Sequence, residues 1–187
     1  RNFEYYSEDP YLTYRCASHI IKGVEENSHK KVCIKHYTCN NQETNRTNNN
    51  SIVSIRTLRE IYLRVFEKTI FYSKPFSVMT SYNLVNGEHS SESYTLVNDI
   101  LRNEFKFDGL VITDWISSGD KVDKRGIYPS AFAYRDIKAG VNICMPGKKK
   151  DIKNIKKALA NGYLSIDDIK NNCSIIINKI NEVKTDL

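Results

Sequence analysis

The apolar positions of this chain fall into two kinds of pattern. Short continuous apolar runs bounded by polar residues are typical of strands that are buried on both faces. Longer stretches repeat apolar residues at every third or fourth position, which predicts helices with one buried stripe. The short runs predict four strands, over residues 32–35, 76–82, 110–113 and 141–145.

The predicted helices carry start and stop signals at their ends. Asp9-Pro10 opens the first helix, which runs to about Glu26, and Ser54 is suited to cap the second. Ser165 with Asp168 has the spacing of a capping box for the last. Helices are therefore predicted over residues 10–26, 54–72, 91–105, 151–160 and from 165 onward.

Strands that alternate with helices at this spacing predict parallel βαβ units and an α/β fold class. Four strands are too few to close an eight-stranded barrel, so a partial barrel is expected. The polar stretch 45–51 follows a strand and predicts a structureless loop on the strand-end face.

Length and charge narrow the classes of partner. The 187 residues suffice for one domain with a sizeable core, and the net charge is +6. Lysines and arginines are interspersed with acidic residues, and the basic cluster Lys148-Lys149-Lys150 has no interleaved aromatics. A solvated surface is favoured over a nucleic-acid partner. No apolar run approaches the ~20 residues of a membrane span, so no membrane partner is expected.

The five cysteines form no CxxC pair and no metal-ligand spacing, so neither a metal nor a cofactor is expected. An odd number of cysteines favours a reducing compartment such as the cytoplasm. Glycosylation-type sequons at Asn45, Asn49 and Asn172 favour secretion instead. The cysteines and the sequons thus point to different compartments, and the sequence does not decide between them.

The run 109–115 is the most informative segment of the chain. Apolar and β-branched residues end abruptly in Asp114 and Trp115. In α/β barrels the active site is built at the carboxyl ends of the strands. Asp114 there is suited to catalysis and Trp115 offers a flat face for a sugar ring. The alternative is an aspartate that caps the next helix.

The other predicted strands also end in polar side chains, which a parallel sheet would bring to the same edge. Together with Asp114, such a set could surround the hydroxyls of a sugar. Taken singly, these residues also have simpler interpretations: His36 could be a structural histidine and Tyr82 a packing residue. Glu43 is an alternative to Asp114 as the carboxylate of the site. The side chains expected to converge are Lys35, His36, Arg46, Tyr82 and Asp114.

Six collinear segments, which cover nearly the full chain, resemble glycoside hydrolase family 3 and most closely its β-glucosidase branch. They are residues 1–10, 35–46, 56–63, 79–87, 107–115 and 139–147. The resemblance implies a retaining double displacement on terminal β-linked glucose, in a β-glucoside or an oligosaccharide. It implies Asp114 as the nucleophile and Tyr82 as the residue that orients it. The substrate-binding residues that it implies are Arg1, Lys35, His36, Arg46, Met79, Tyr82 and Trp115.

The same resemblance implies that residues 1–187 are the second half of the family's N-terminal barrel domain, about the last four β/α units of a (β/α)8 TIM-type barrel. The general acid of the β-glucosidase branch comes from a C-terminal domain, which is not expected in this chain. Glu43 and Glu60 are poor substitutes, because the family motifs place them in a loop and a helix. The remainder of the barrel and the second domain are expected in the full-length protein.

Two departures from family patterns affect this interpretation. The N-acetylglucosaminidase branch has a second histidine after its Lys-His pair, whereas residues 35–41 here contain only His36. Asn142 stands where the family usually has Asp, which removes a charge near a strand end. The alternative function is a truncated, non-catalytic remnant that binds sugar or a partner protein, which open sheet edges would favour.

Overall fold

The computed structural model describes residues 4–117 and 128–185. Its helices are α1 (Pro10–Glu26), α2 (the consecutive segments Ile55–Thr57, Leu58–Tyr62 and Leu63–Ser73), α3 (Thr95–Glu104), α4 (Ala133–Ala139), α5 (Lys149–Ala160) and α6 (Ile166–Thr185). Its strands are β1 (Cys33–Tyr37), β2 (Asn50–Ser51), β3 (Ser77–Thr80), β4 (Leu84–Val85), β5 (Glu88–His89) and β6 (Leu110–Ile112). The middle segment of α2 and all of α3 have the wider hydrogen bonding of a π-helix.

The main sheet has the order β1-β3-β6, and both of its strand pairs are parallel. Val78 of β3 and Val111 of β6 are aligned in register and are completely buried. They pack with Val97 and Leu101 of α3 in the main hydrophobic core. The prediction of an α/β fold with parallel strands is confirmed.

The prediction of a fourth strand over residues 141–145 is wrong in the described structure, where Ile143 makes a single parallel bridge to Ile112. The reason is the side chain of Asn142. Its Oδ1 accepts the N–H of Val111 at 2.8 Å, so a side-chain amide takes a position that a strand carbonyl would fill. The segment follows the sheet edge without completing a ladder.

The starts of α1, α2 and α6 were predictable because a side chain at the N-terminus of each helix caps it. Asp9 accepts the N–H groups of Tyr11 and Leu12, and Ser54 accepts that of Thr57. Ser165 and Asp168 hydrogen-bond reciprocally before α6, which confirms the capping box. Helix α4 was not predicted.

The prediction that residues 45–51 are structureless is also wrong. Residues Arg46–Asn48 form a 3-10 turn, and β2 pairs in parallel with β4. Strands β4 and β5 form an antiparallel hairpin around Asn86 and Gly87, whose φ angles of 50° and 94° suit a tight hairpin turn. This small second sheet fixes the loop that carries Arg46.

Within the described residues, no helix is both long and apolar enough to cross a bilayer. Nor does that part of the chain bring together three or more His, Cys, Asp or Glu side chains in a way that could hold a metal ion.

Candidate active site

Asp114 follows β6 directly and is 5 % exposed, whereas the neighbouring Trp115 is 55 % exposed. The backbone N–H of Trp115 donates to Asp114 Oδ1 at 2.7 Å. The next described helix, α4, has Phe132 at its N-cap position, so Asp114 does not cap that helix. A buried carboxylate beside an exposed aromatic face lies at the carboxyl end of a parallel strand.

An irregularity in β1 brings a histidine to this carboxylate. The register between β1 and β3 shifts between Ile34 and Tyr37, which breaks the usual alternation of faces. Tyr37 packs in the core and its hydroxyl donates to the Leu96 carbonyl at 2.8 Å. His36 Nε2 lies 3.5 Å from Asp114 Oδ2.

Tyr82 and Arg46 join the same cluster. The Tyr82 hydroxyl donates to the backbone carbonyl of Trp115 at 2.7 Å. The Arg46 guanidinium lies over the Tyr82 ring, 5.2 Å from its centroid, and its Nη1 is 3.5 Å from Glu43 Oε2. Glu43 is therefore the ion-pair partner of Arg46 in this structure.

Lys35 lies one residue before His36, on the exposed part of β1. Its Nζ is 3.9 Å from Glu4 Oε2, so the ammonium group has a carboxylate neighbour from the N-terminal segment. Met79 is half-buried on β3, in register with Ile112 of β6. Arg1 lies outside the described residues.

A cleft of about 620 Å³ opens beside β1, between the N-terminal segment, α1 and α2. Lys35, His36 and Glu4 line one part of it. Much of the rest is apolar, with Ile21 and Phe66 among the lining residues. The polar end of this cleft and the cluster around Asp114 meet at His36.

The structure adds residues that sequence reasoning missed. Glu4 belongs to a motif that was recognised, yet only the fold places its carboxylate beside Lys35. Thr113 and Met145 hold the segment next to Asp114, because the N–H of Met145 donates to the Thr113 hydroxyl at 2.9 Å. The signal for Thr113 was its position before Asp114, whereas nothing local pointed to Met145.

The Glu60 carboxylate pairs with Arg56 at 3.0 Å on an exposed face of α2, so its described partner lies outside this cluster. Chemically, the cluster offers one buried carboxylate, an imidazole, two cationic side chains and an aromatic plane. Such a set is suited to holding a polyhydroxylated ligand against a carboxylate.

The model of the glycosyl hydrolase family 3 N-terminal domain matches residues 1–178. The chain belongs to glycosyl hydrolase family 3. It is 40 % identical to thermostable β-glucosidase B of Acetivibrio thermocellus over 166 residues, which are 88 % of this chain and 20 % of that protein. It is also 35 % identical to an exo-α-(1→6)-L-arabinopyranosidase of Bifidobacterium longum over 184 residues, 98 % of this chain and 22 % of the relative.

Among solved family 3 structures, the fold matches the β-glucosidase of Kluyveromyces marxianus in complex with glucose with a TM-score of 0.87. That match has 35 % identity and covers 100 % of this chain and 22 % of the other. The likeness agrees with a partial TIM-type barrel. The chain spans about a fifth of the length of these relatives.

Proposed function

We propose that this chain carries the nucleophile and part of the sugar subsite of a retaining glycosidase of the β-glucosidase type. The observation that carries the proposal is the buried Asp114 at the end of β6, with His36 3.5 Å away and the exposed face of Trp115 beside it. The β-glucosidase names of its relatives support glucose as the sugar.

In the proposed reaction an Asp114 carboxylate oxygen attacks the anomeric carbon while the glycosidic C–O bond breaks. The leaving oxygen takes a proton from a general acid, and water then hydrolyses the glycosyl ester, which restores the carboxylate. We assign that general acid to a C-terminal domain of the full-length protein. Residues 1–187 correspond in this proposal to about the last four β/α units of the barrel.

The remaining residues hold the sugar in this proposal. His36, Lys35 and Arg46 donate hydrogen bonds to its hydroxyls, and Trp115 lies against the ring. Tyr82 acts through the backbone, because its hydroxyl holds the Trp115 carbonyl and thereby the turn that contains Asp114. Arg1 and Met79 complete the predicted substrate-binding set.

The proposal is tested by covalent trapping with 2,4-dinitrophenyl 2-deoxy-2-fluoro-β-glucoside. Dinitrophenolate departs without a general acid, so trapping does not require the second domain. We expect an intact mass increased by one fluoroglucosyl group, with the modified peptide mapping to Asp114. The matching arabinopyranoside reagent tests the specificity of the second named relative.

Two variants make the trapping decisive. Asp114→Asn should abolish the adduct, whereas Asp167→Asn should leave it unchanged because that side chain is 86 % exposed on α6. An adduct on another residue, or one that survives in Asp114→Asn, would overturn the proposal. Folded protein that takes up no label would favour the alternative, a remnant that binds sugar without catalysis.

A further inference from the structure

The turn that carries Asp114 is tied on both sides to one residue from a distant part of the chain. The Met145 N–H donates to Thr113 Oγ1 at 2.9 Å, and the Met145 carbonyl accepts the Ile116 N–H at 2.9 Å. The Thr113 N–H also donates to the Ile143 carbonyl at 2.9 Å. Asp114 and Trp115 thus lie between two attachment points on Met145.

Thr113 is completely buried, so its hydroxyl does not contact solvent. A valine has nearly the same shape and would fill the same space. The distinctive property of threonine at this position is its oxygen, which accepts the Met145 N–H. Serine would retain that acceptor without the methyl group.

The turn is also strained. Ile116 has a φ of 63°, in the left-handed region that β-branched residues rarely adopt. Such a conformation persists only where the surrounding structure holds it. The Ile116 N–H bond to the Met145 carbonyl holds Ile116 itself, and the Tyr82 hydroxyl holds the carbonyl of the preceding Trp115.

We infer that Thr113 is a positioning residue, whose hydroxyl anchors Met145 and through it the strained turn that presents Asp114. The inference rests on the proposed function for its catalytic consequence. The clamp itself, made of Thr113, Met145 and Ile116, is a feature of the fold. Without the Thr113 acceptor, the turn loses one of its two attachments to Met145, and Asp114 is no longer fixed opposite His36.

The test compares Thr113→Val with Thr113→Ser and with Thr69→Val as a matched control. Thr69 is 1 % exposed on α2, and its hydroxyl has no hydrogen-bond partner within the described residues. A buried Thr→Val change there removes a hydroxyl of equal size away from the turn. An effect that appears in Thr113→Val but not in Thr69→Val is then due to the loss of the Thr113 hydroxyl as a hydrogen-bond acceptor.

Two readouts separate this inference from the proposed function. Amide hydrogen exchange reports the clamp directly, and we expect Thr113→Val to speed exchange at Met145 and Ile116 about tenfold or more. With the fluoroglucoside, we expect the maximal trapping rate to fall about 10- to 100-fold while the reagent concentration for half-maximal rate changes little. Thr113→Ser should restore both, and Thr69→Val should alter neither.

Unchanged exchange at Met145 and Ile116 in Thr113→Val would overturn the clamp, whether or not the protein is labelled. Faster exchange with a wild-type trapping rate would overturn the positioning role. Wild-type protein that takes up no label would count against the proposed function, and the exchange measurement would still decide the clamp.

Discussion

His36 Nε2 lies 3.5 Å from Asp114 Oδ2, and the two side chains are only 5 % and 8 % exposed. The residues belong to β1 and to the end of β6, which are separated by β3 in the sheet. The irregular register of β1 turns His36 toward the carboxylate. A carboxylate buried to this degree requires polar partners, and the imidazole is one of them.

Replacing His36 by Ala should therefore impair the reaction of Asp114 more than it impairs folding. We expect the fluoroglucoside trapping rate to fall about 100-fold, as when one donor is removed from a preorganised site. The measurement is the trapping rate together with the urea midpoint. His19→Ala is the control, because its Nδ1 contacts the Arg15 carbonyl on the exposed part of α1. Equal trapping by His36→Ala and wild type would remove His36 from the site.

Arg102 should be a major contributor to stability. Its part-buried guanidinium donates to the carbonyls of Phe107 and Gly109 and, at 2.7 Å, to Asn142 Oδ1. Burial lowers the pKa of Arg102 to about 10, because desolvation disfavours the charged form. Arg102→Leu leaves several acceptors without this donor and should lower the free energy of unfolding by about 2–3 kcal/mol, measured by urea denaturation.

A second arginine provides the comparison. Arg59 pairs with both carboxylate oxygens of Glu104, but these side chains are 43 % and 46 % exposed. Arg59→Leu should cost at most about 1 kcal/mol, since water screens an exposed pair. Similar losses of free energy of unfolding in Arg102→Leu and Arg59→Leu would show that the Arg102 network contributes no more to stability than an exposed ion pair.

We expect the buried carboxyl group of Asp136 to make the free energy of unfolding fall as pH rises. It is completely buried on α4, near the Cys144 thiol and the carboxylates of Glu92 and Asp151. Burial is the main reason that its pKa is raised from 3.8 to about 8, and these carboxylates add to the effect, while a hydrogen bond from Ser91 opposes it. Between these values the folded state keeps a proton that the unfolded state releases.

The stabilisation from this proton is complete below about pH 4 and is lost progressively up to about pH 8. The free energy of unfolding falls by at most about 1.4 kcal/mol per pH unit from this group. Asp136→Asn should reduce the loss of stability between pH 5 and pH 8, measured as urea midpoints at both values. Asp167→Asn, at an exposed position, should follow the wild type. A wild-type slope in Asp136→Asn would contradict the assignment.

Local patterns determined a large part of the fold. Asp9, Ser54 and Ser165 cap their helices through side-chain contacts a few residues away, so sequence spacing alone locates them. The predicted strands over 32–35, 76–82 and 110–113 overlap with β1, β3 and β6, because short apolar runs bounded by polar residues are typical of strands in a parallel sheet. The hairpin turn at Asn86-Gly87 follows from its residues in the same way.

Local patterns failed where a distant side chain competes with the backbone. The apolar run at 141–145 is not a full strand, since Asn142 binds Val111 and Arg102. The polar run at 45–51 contains β2, because β4 supplies its partner. Helix α4 is short, and the signal for it was Gly140, which follows its last residue with a φ of 106°.

The same division applies to the candidate site. The sequence by itself determined that Lys35, His36, Tyr82 and Asp114 lie at or just beyond the carboxyl ends of strands, because strand ends are set by local apolar patterns. Only the tertiary structure decided which of them touch: the shifted register of β1 brings His36 to Asp114, and Arg46 lies over Tyr82. The attachment of Thr113 to Met145, 32 residues further along, likewise depends on how the segments pack. Contacts of this kind are fixed by the geometry between elements, which no local spacing of residues encodes.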